Sequence, residues 1–429
     1  MAVTPTTLTE LNDLAKDYYA EVYVPLMNTE TPLRSQFQKL QNATFTGRTW
    51  IFGIKTDIGG GSSNAGSNKT LPAAAEGTYD QGQANVVRQY TRLAADGLMI
   101  EVTKKREGSY RPALAELMED RLAAHDLETN RQLFCNGDGK LCLIGGTPGA
   151  SATQTVASDY GVTNGGQGTR HIRAGDQVAI YTTAGSLIGR RVVSSVSHAN
   201  STMTLDSSIT TTATTNFVTK STADDDNYTA GEINGLLISV SRNGNQSSGT
   251  LFENVPVTVD RWNANVFDNN GTLRPLTDEL VMTALAKHKA ESRQDVDLAV
   301  CRPGVVLKYS LLFLPIRRID GQETQLKGGF KPVKELMGGG NKMIPVLEDL
   351  DCPNSRLFLL STKAYRMADL IGTDWADWEG AQFVRITDKD GCEGYIRSYR
   401  QLMTIQRNAL TVIEDLEDIE SIDRLGLAA

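Results

Sequence analysis

Helical periodicity is strongest in the segment that begins near Arg111. Leu114, Leu117, Met118, Leu122, Ala123 and Leu127 return every three or four residues, the spacing that lines one stripe of a helix. Ser109 is the candidate cap, and Pro112 falls in the first turn, where an N–H has no helical partner in any case. The pattern runs to about Phe134, roughly 35 Å of helix at 1.5 Å per residue. Asn136–Gly137 and Asp138–Gly139 predict its stop. Glu116, Glu119, Asp120, Arg121, Asp126, Glu128 and Arg131 occupy the other face, which reads either as a solvated surface or as a subunit contact. Weaker amphipathic patterns predict helices over Leu11–Tyr18, Leu276–Lys289 and Gly304–Leu314.

Alternating or continuous apolar runs predict strands. Thr49–Thr56 and Asn85–Met99 are two β-rich runs, and between them Ile58–Gln83 is rich in Gly, Ser, Asn and Ala. Such a stretch buries too little apolar surface to order itself, so the pair reads as an extended hairpin with a polar tip. After a Gly/Ser/Thr-rich loop at Gly145–Gly168, short strands are predicted at Gln177–Tyr181, Arg190–Val196 and Met203–Leu205. Together they read as a small barrel or sandwich with core positions Val178, Ile180, Val193, Val196 and Leu205. Further strands are predicted at Asp297–Cys301, Val333–Met337, Met343–Val346 and Leu357–Leu360, then an irregular stretch at Ala368–Glu379. The chain closes on a hairpin at Gln382–Ile386 and Gly394–Tyr399 and an extended strand or strand pair over Leu402–Leu416. Helices segregated from antiparallel strands make the class α+β.

Composition narrows the functional classes. At 429 residues, with 40% hydrophobic and 22% charged positions, the chain is long enough for two or three domains with sizeable cores. A net charge of −8 argues against a protein whose main task is to grip phosphate backbones. The five cysteines, Cys135, Cys142, Cys301, Cys352 and Cys392, are an odd number without metal-site spacing and read as buried, reduced thiols. No signal peptide and no uninterrupted apolar run long enough to span a membrane is legible.

Candidate chemistry is sparse. His125, His171, His198 and His288 are scattered over unlike elements and read as solvated or core residues. Gly61 and Gly66 have phosphate-loop spacing, but the lysine that should follow is displaced to Lys69. Gly338–Lys342 reads as a flexible turn, Asp388–Gly391 as a tight hairpin turn without a metal, and Gly185–Gly189 misplaces the serine of a nucleophile elbow. No catalytic residue, cofactor site or metal site is predicted. Lys104, Lys105, Arg106 and Arg111 form the densest basic cluster. With only Tyr110 nearby for stacking, it reads as a contact to a neighbouring subunit in preference to nucleic acid.

The order of parts, a polar arm, a long hairpin with a glycine-rich tip, one long helix ending in NGDG and a mixed domain closing in strands, resembles the major capsid proteins of the Hong Kong 97 fold. YIRSYRQLMTIQRNALTVIEDL at Tyr395–Leu416 looks like that family's terminal strands. The resemblance implies an arm over 1–46, an extended loop over 47–102 and a peripheral domain with its spine helix over 103–169. It implies further an inserted β domain over 170–222, an axial domain over 223–330 and remaining axial and peripheral strands over 331–429. The insertion departs from the minimal fold, though coat proteins of some short-tailed phages are similar in carrying one. The implied function is a coat protein that assembles into pentamers and hexamers of an icosahedral phage head around double-stranded DNA, bound without sequence specificity. An encapsulin-type compartment and an uncharacterised hydrolase are the alternatives. Implied partners are other copies of the chain, a separate scaffolding protein (since no charged helical prodomain precedes the arm), a portal protein and a cement or decoration protein, with no membrane. The implied place is the virion capsid, assembled in the bacterial cytoplasm. Intersubunit contacts are expected at Trp50, Phe52, Lys55, Lys69, Val86 and Tyr90 of the hairpin, at Lys104, Lys105, Arg106 and Arg111, and at Glu116 and Glu119 of the long helix.

Overall fold

The structure, a computed structural model, describes residues 30–37, 49–64, 67, 70–103, 113–220, 231–242, 250–312, 335–337, 343–377, 380–387 and 389–419. The helix expected at Leu11–Tyr18, Lys69, and the basic cluster of Lys104, Lys105, Arg106 and Arg111 lie outside the described residues. The chain divides into two units, a smaller one containing Thr91–His125 and Trp375–Ile396 and a larger one containing Thr31–Tyr90, Asp126–Asp374 and the chain from Arg397 onward.

The first elements are helix α1 (Pro32–Phe37), strands β1 (Thr49–Asp57), β2 (Thr78–Asn85) and β3 (Val87–Asp96), and helices α2 (Gly97–Thr103) and α3 (Ala113–Phe134). β1 and β2 pair antiparallel from Thr49↔Asn85 outward, so the hairpin exists, but its returning strand is not the one the sequence predicts. The apolar run after Asn85 is β3, which pairs elsewhere, while the polar TYDQGQAN supplies the partner. A strand can be read from its own residues only when it buries them, and β2 contributes mainly backbone. In α3 the apolar stripe is only half-buried, and Leu122 is 42% exposed. Burial concentrates instead in its last turns, at Thr129, Asn130, Arg131, Gln132, Leu133 and Phe134. Gly137 and Gly139, with φ of 72° and 71°, stop the helix where NGDG predicts.

Six strands, β4 (Lys140–Ile144), β5 (Ala150–Asp159), β6 (Gln177–Tyr181), β7 (Leu187–Ser197), β8 (Thr202–Thr210) and β9 (Phe217–Lys220), close into a barrel in the order β4-β5-β8-β7-β6-β9. Ile144, Val156, Val178, Ile180, Val193, Met203, Leu205 and Val218 fill it, with Val196 packed at its side. The barrel therefore starts upstream of the boundary at 170, with β4 just before the stretch predicted as a loop and β5 inside it. β5 reads ASATQTVASD, and its small polar residues hide a stave that is held by backbone pairing to β4 and β8 and by buried Gln154, whose side chain donates to the Ser151 and Ile209 carbonyls at 2.7 and 3.3 Å.

The remaining elements are α4 (Leu236–Val240), β10 (Leu251–Phe252), β11 (Val255–Pro256), β12 (Asn265–Phe267), α5 (Asp278–Ser292), β13 (Leu298–Cys301), α6 (Pro303–Leu312), β14 (Glu335–Met337), β15 (Met343–Glu348), β16 (Leu357–Leu360), β17 (Tyr365–Trp375), β18 (Val384–Arg385), β19 (Gly391–Thr404) and β20 (Leu410–Ile413). A mixed six-stranded sheet runs β12-β20-β16-β13-β15-β14, with β12/β20 and β13/β15 parallel. Its central strands are apolar at nearly every position because both faces are covered. Ala299, Cys301, Leu357, Leu359 and Ile413 pack with α5 and α6 through Val281, Ala284, Val305 and Val306, whereas Val300, Phe358, Leu360 and Val412 pack with Leu33, Phe37, Phe134, Leu236 and Tyr365. Thr277 caps α5 by accepting from the Leu280 N–H at 3.3 Å, which sets its start just beyond the predicted one.

Near the end of the chain one expectation is corrected and one alternative is decided. Ala368–Glu379 is not irregular as far as Trp375, because Tyr365–Trp375 is a strand whose alternation is obscured by Asp369, Gly372 and Asp374. Of the two readings of Leu402–Leu416, an extended strand or a strand pair, the structure has two strands, because Arg407–Ala409 makes a 3₁₀ turn between β19 and β20. The buried Arg407 there donates to the Ser239 and Ile238 carbonyls at 2.9 and 3.2 Å. In the smaller unit, Gly97 donates to the Asp390 carbonyl at 3.0 Å, and a Cβ at Gly97 would sit 2.5 Å from the Asp390 carboxylate.

The barrel boundary is testable with fragments. A fragment from Lys140 to Lys220 holds all six staves and is expected to give dispersed β-type NMR spectra, whereas one from Arg170 to Lys220 lacks β4 and β5 and is expected to be unfolded. A folded Arg170–Lys220 fragment would show that the barrel does not need them. Within the longer fragment, Val178→Asp places an unpaired charge in the core and should cost roughly 3 kcal/mol in urea unfolding.

Candidate assembly surface

The β1–β2 ribbon has two unlike faces. Alternation puts Trp50, Phe52 and Ile54 on one side of β1, opposite Ala84, Gly82 and Asp80 of β2. This side turns inward. Trp50 and Phe52 pack with Ala84, Ala368 and Met403, and Phe52 and Ile54 pack against Ile238, Phe252, Val255 and Trp262. Gly82 is required for that packing, since a Cβ there would meet the Phe52 ring at 2.4 Å. The edge of β2 is tied down as well, with the Gln83 N–H donating to the Glu253 carbonyl at 2.7 Å. The opposite side carries Ile51, 56% exposed, and Tyr79, 69% exposed, with the Lys55 ammonium 5.4 Å from the Tyr79 ring centroid. Beyond the strands the two limbs stay close. Gly59 and Gly61 have φ of 80° and 101°, and a Cβ on either would lie within 2.7 Å of the Glu76 or Ala73 carbonyl oxygen.

Of the predicted contact residues, Trp50 and Phe52 are therefore directed to the chain's own body. Lys55 lies on the exposed face, and Val86 is half-buried between β2 and β3. Tyr90 is partly exposed, with its hydroxyl 3.0 Å from that of Tyr399. Glu116 is half-buried and Glu119 exposed on the first part of α3. Ile51 and Tyr79, outside that set, are exposed on the same face as Lys55. The signal for Ile51 was its alternation against Trp50 and Phe52, while Tyr79 stands in a polar stretch that gives no such signal.

The far end of α3 is not the solvated face its charges suggest. Arg131 is buried and ion-paired with Glu128 at 2.6 Å and with Glu232, and Lys220 reaches the other Glu128 oxygen at 2.6 Å. Burial raises the Glu128 carboxyl, but Arg131 and Lys220 outweigh it and hold the group well below the usual carboxylate range. The pairs fasten both limbs of the chain around the barrel, at Lys220 and at Glu232, to the helix that precedes it.

Chemistry of other kinds finds little support. Among the described residues no group of three or more His, Cys, Asp or Glu side chains could hold a metal ion, and no helix is long and apolar enough to cross a membrane. Cys135, Cys142, Cys301 and Cys352 are buried free thiols, and burial pushes each well above the normal thiol range. A cleft of about 390 Å³ in the smaller unit offers one carboxylate, Glu393, already ion-paired with Arg92.

The chain has the Hong Kong 97-type capsid fold, α+β, with a barrel added to it. It is similar over 96% of its length to 99% of a chain in the capsid asymmetric unit of cyanophage A-1(L), with a TM-score of 0.58 and 13% identity. It is similar over 97% of its length to the whole of a chain in the capsid of a native GTA particle, with a TM-score of 0.52 and 11% identity. No protein-family model and no curated protein sequence matches it.

The Arg131 pairs predict both an energy and a pH dependence. Arg131→Ala removes the buried cation shared by Glu128 and Glu232, leaving Glu128 only Lys220, and should cost about 3–5 kcal/mol in urea unfolding. Because Glu128 titrates lower folded than unfolded, its contribution is present above pH 4.5 and is lost as pH falls through the folded value. Glu128→Gln should therefore flatten the fall in urea midpoint between about pH 5 and pH 2. An equally steep fall in the variant would remove Glu128 as the source.

Proposed function

We propose that this protein is a phage coat subunit that works by self-assembly into a closed icosahedral shell of pentamers and hexamers. The observation that carries the reading is the capsid fold running through nearly the whole chain, as in the cyanophage A-1(L) capsid. The ribbon supports it: one face is secured to its own body, and the other presents Ile51 and Tyr79 with nothing of their own chain to bury them among the described residues. A surface of this kind, meeting a different surface on the next copy, makes heterologous contacts that close into rings. On this reading Ile51, Lys55, Tyr79 and Tyr90 contact the neighbour, Lys69, Lys104, Lys105, Arg106, Arg111, Glu116 and Glu119 contribute further contacts, and Trp50, Phe52 and Val86 act from beneath. The role is structural, without catalysis. The shell encloses double-stranded DNA, whose polyanion an acidic wall of net charge −8 per subunit does not trap. A separate scaffolding protein, a portal and a decoration protein are its partners, the virion head is its place, and assembly takes place in the bacterial cytoplasm.

Expression of the full chain alone or with its scaffolding protein, followed by negative-stain microscopy and velocity sedimentation, is expected to give closed shells. A shell holding a copurified enzyme would point to a protein compartment instead, and a monomer turning over esters or phosphoesters would point to a hydrolase. Ile51→Asp combined with Tyr79→Asp should leave subunit stability within about 0.5 kcal/mol per site, since both positions are exposed, yet abolish particles. Normal shells from the double variant would show that this face is not the intersubunit contact.

A further inference from the structure

Leu251–Phe252 and Val255–Pro256 form a small hairpin whose two-residue turn is Glu253–Asn254. Both turn residues are left-handed, with φ of 49° and 69°. Asn accepts that conformation readily, whereas Glu seldom occupies it. The turn lies against β2. The Glu253 carbonyl accepts from the Gln83 N–H at 2.7 Å, and the Asn254 side chain donates to the Gln81 carbonyl at 3.4 Å. The Glu253 side chain points the other way and is buried, with its carboxyl oxygens 3.2 and 3.3 Å from the Thr404 N–H at the end of β19. One residue thus joins the root of the long ribbon to the core strand beneath it.

We propose that Glu253 is the positioning residue that seats the extended hairpin on the body of the larger unit, and that ionisation of its carboxyl weakens the seat. Burial raises this carboxyl to about 8, against the opposing pull of the Thr404 N–H, the Asn234 side chain and Arg407. The groups facing it come from each packed element. Arg407 follows β19 and lies over the Phe252 ring at 4.2 Å, and Tyr365 of β17 has its hydroxyl 2.8 Å from that of Ser239. Asn234 precedes α4 and donates its N–H to the Gln401 side chain at 2.8 Å. Arg407 uses its guanidinium on the carbonyls of Ser239, Ile238 and Ser241. The uncharged carboxyl is therefore the form that the folded seat favours, and an opening that carries the small Leu251–Pro256 hairpin away from Thr404 together with the ribbon exposes Glu253 to water, where it ionises near 4.5. A folded value above the open one makes the seat strongest below pH 4.5 and progressively weaker up to pH 8.

Amide hydrogen exchange on the full-length unassembled protein tests it, expressed as protection factors so that intrinsic base catalysis cancels. Gln83 and the β1 amides are expected to lose protection by up to about tenfold per pH unit from pH 5 to pH 8 and to level off above, while Val178–Tyr181 in the barrel stays constant. Glu253→Gln keeps an acceptor for Thr404 without the titration, and its hairpin protection should not change with pH. Glu253→Ala should lower hairpin protection at every pH. A wild-type hairpin indifferent to pH, or a Glu253→Gln hairpin that titrates like the wild type, overturns the switch. Unchanged hairpin protection in Glu253→Ala overturns the seat, and should that variant fail to fold, the wild type and Glu253→Gln decide.

Discussion

A sheet that must be covered on both faces governs the larger unit. LAVC in β13, LFLL in β16 and LTVI in β20 offer almost no polar position to water, so every neighbouring element is committed to one side or the other. Two helices, α5 and α6, cover one face, and the other takes α1, α4 and the last turns of α3. Each fully buried Leu, Val or Phe is worth roughly 1.5–3 kcal/mol, so the two faces together outweigh any single polar contact. The long helix is anchored by Leu133 and Phe134, with Cys135 just past its end, and its predicted stripe, further back, is left half-covered.

Covering both faces draws charged groups inward where the barrel, α1 and α3 meet the sheet. Asp349 accepts from the Leu33 N–H at 3.2 Å, from the Asn130 side chain at 3.1 Å and from the Asp351 N–H at 2.8 Å. Burial and the adjacent Asp351 push it up to about 6. Asp159 is the opposite case, buried but held low by Arg170 and His171. Such groups add little net stability compared with apolar replacements, yet removing one partner is costly, so they penalise wrong arrangements more than they reward the right one. Arg131 between Glu128 and Glu232 works the same way, fixing how the barrel leaves and rejoins the main chain path.

What was legible in the sequence follows from this physics. Gln177–Tyr181 and Leu357–Leu360 are found at their predicted limits because strands buried on both faces must be continuously apolar. The stop of α3 was legible because NGDG demands left-handed backbone. β2 and β5 were not, because TYDQGQAN and ASATQTVASD take their order from the backbones beside them. The charges of α3 misled for a related reason: Glu128 and Arg131 look solvated until Lys220 and Glu232, distant in sequence, close over them. Alternation in β1 separated two faces but could not say which one the chain itself would cover. Trp50 and Phe52, the bulkier pair, went inward, and Ile51 and Tyr79 were left on the exposed face.

A two-stranded ribbon is marginal in water unless something packs on it. Here the root has its support from Ile238, Phe252, Val255 and Trp262, so its position does not wait for another molecule. The outer part differs. Ile58 is 73% and Leu71 80% exposed, on limbs where glycine lets the two backbones approach closely but leaves few side chains to pack. The ribbon does not bury those two residues itself, so in the shell proposed above a neighbour would supply the burial. At roughly 1.5–3 kcal/mol for each, the gain is modest for one subunit. Repeated at every contact of the shell proposed above, a gain of that size would be large in sum while each contact stayed weak enough to open and re-form, so that misplaced neighbours could be corrected before the shell closed.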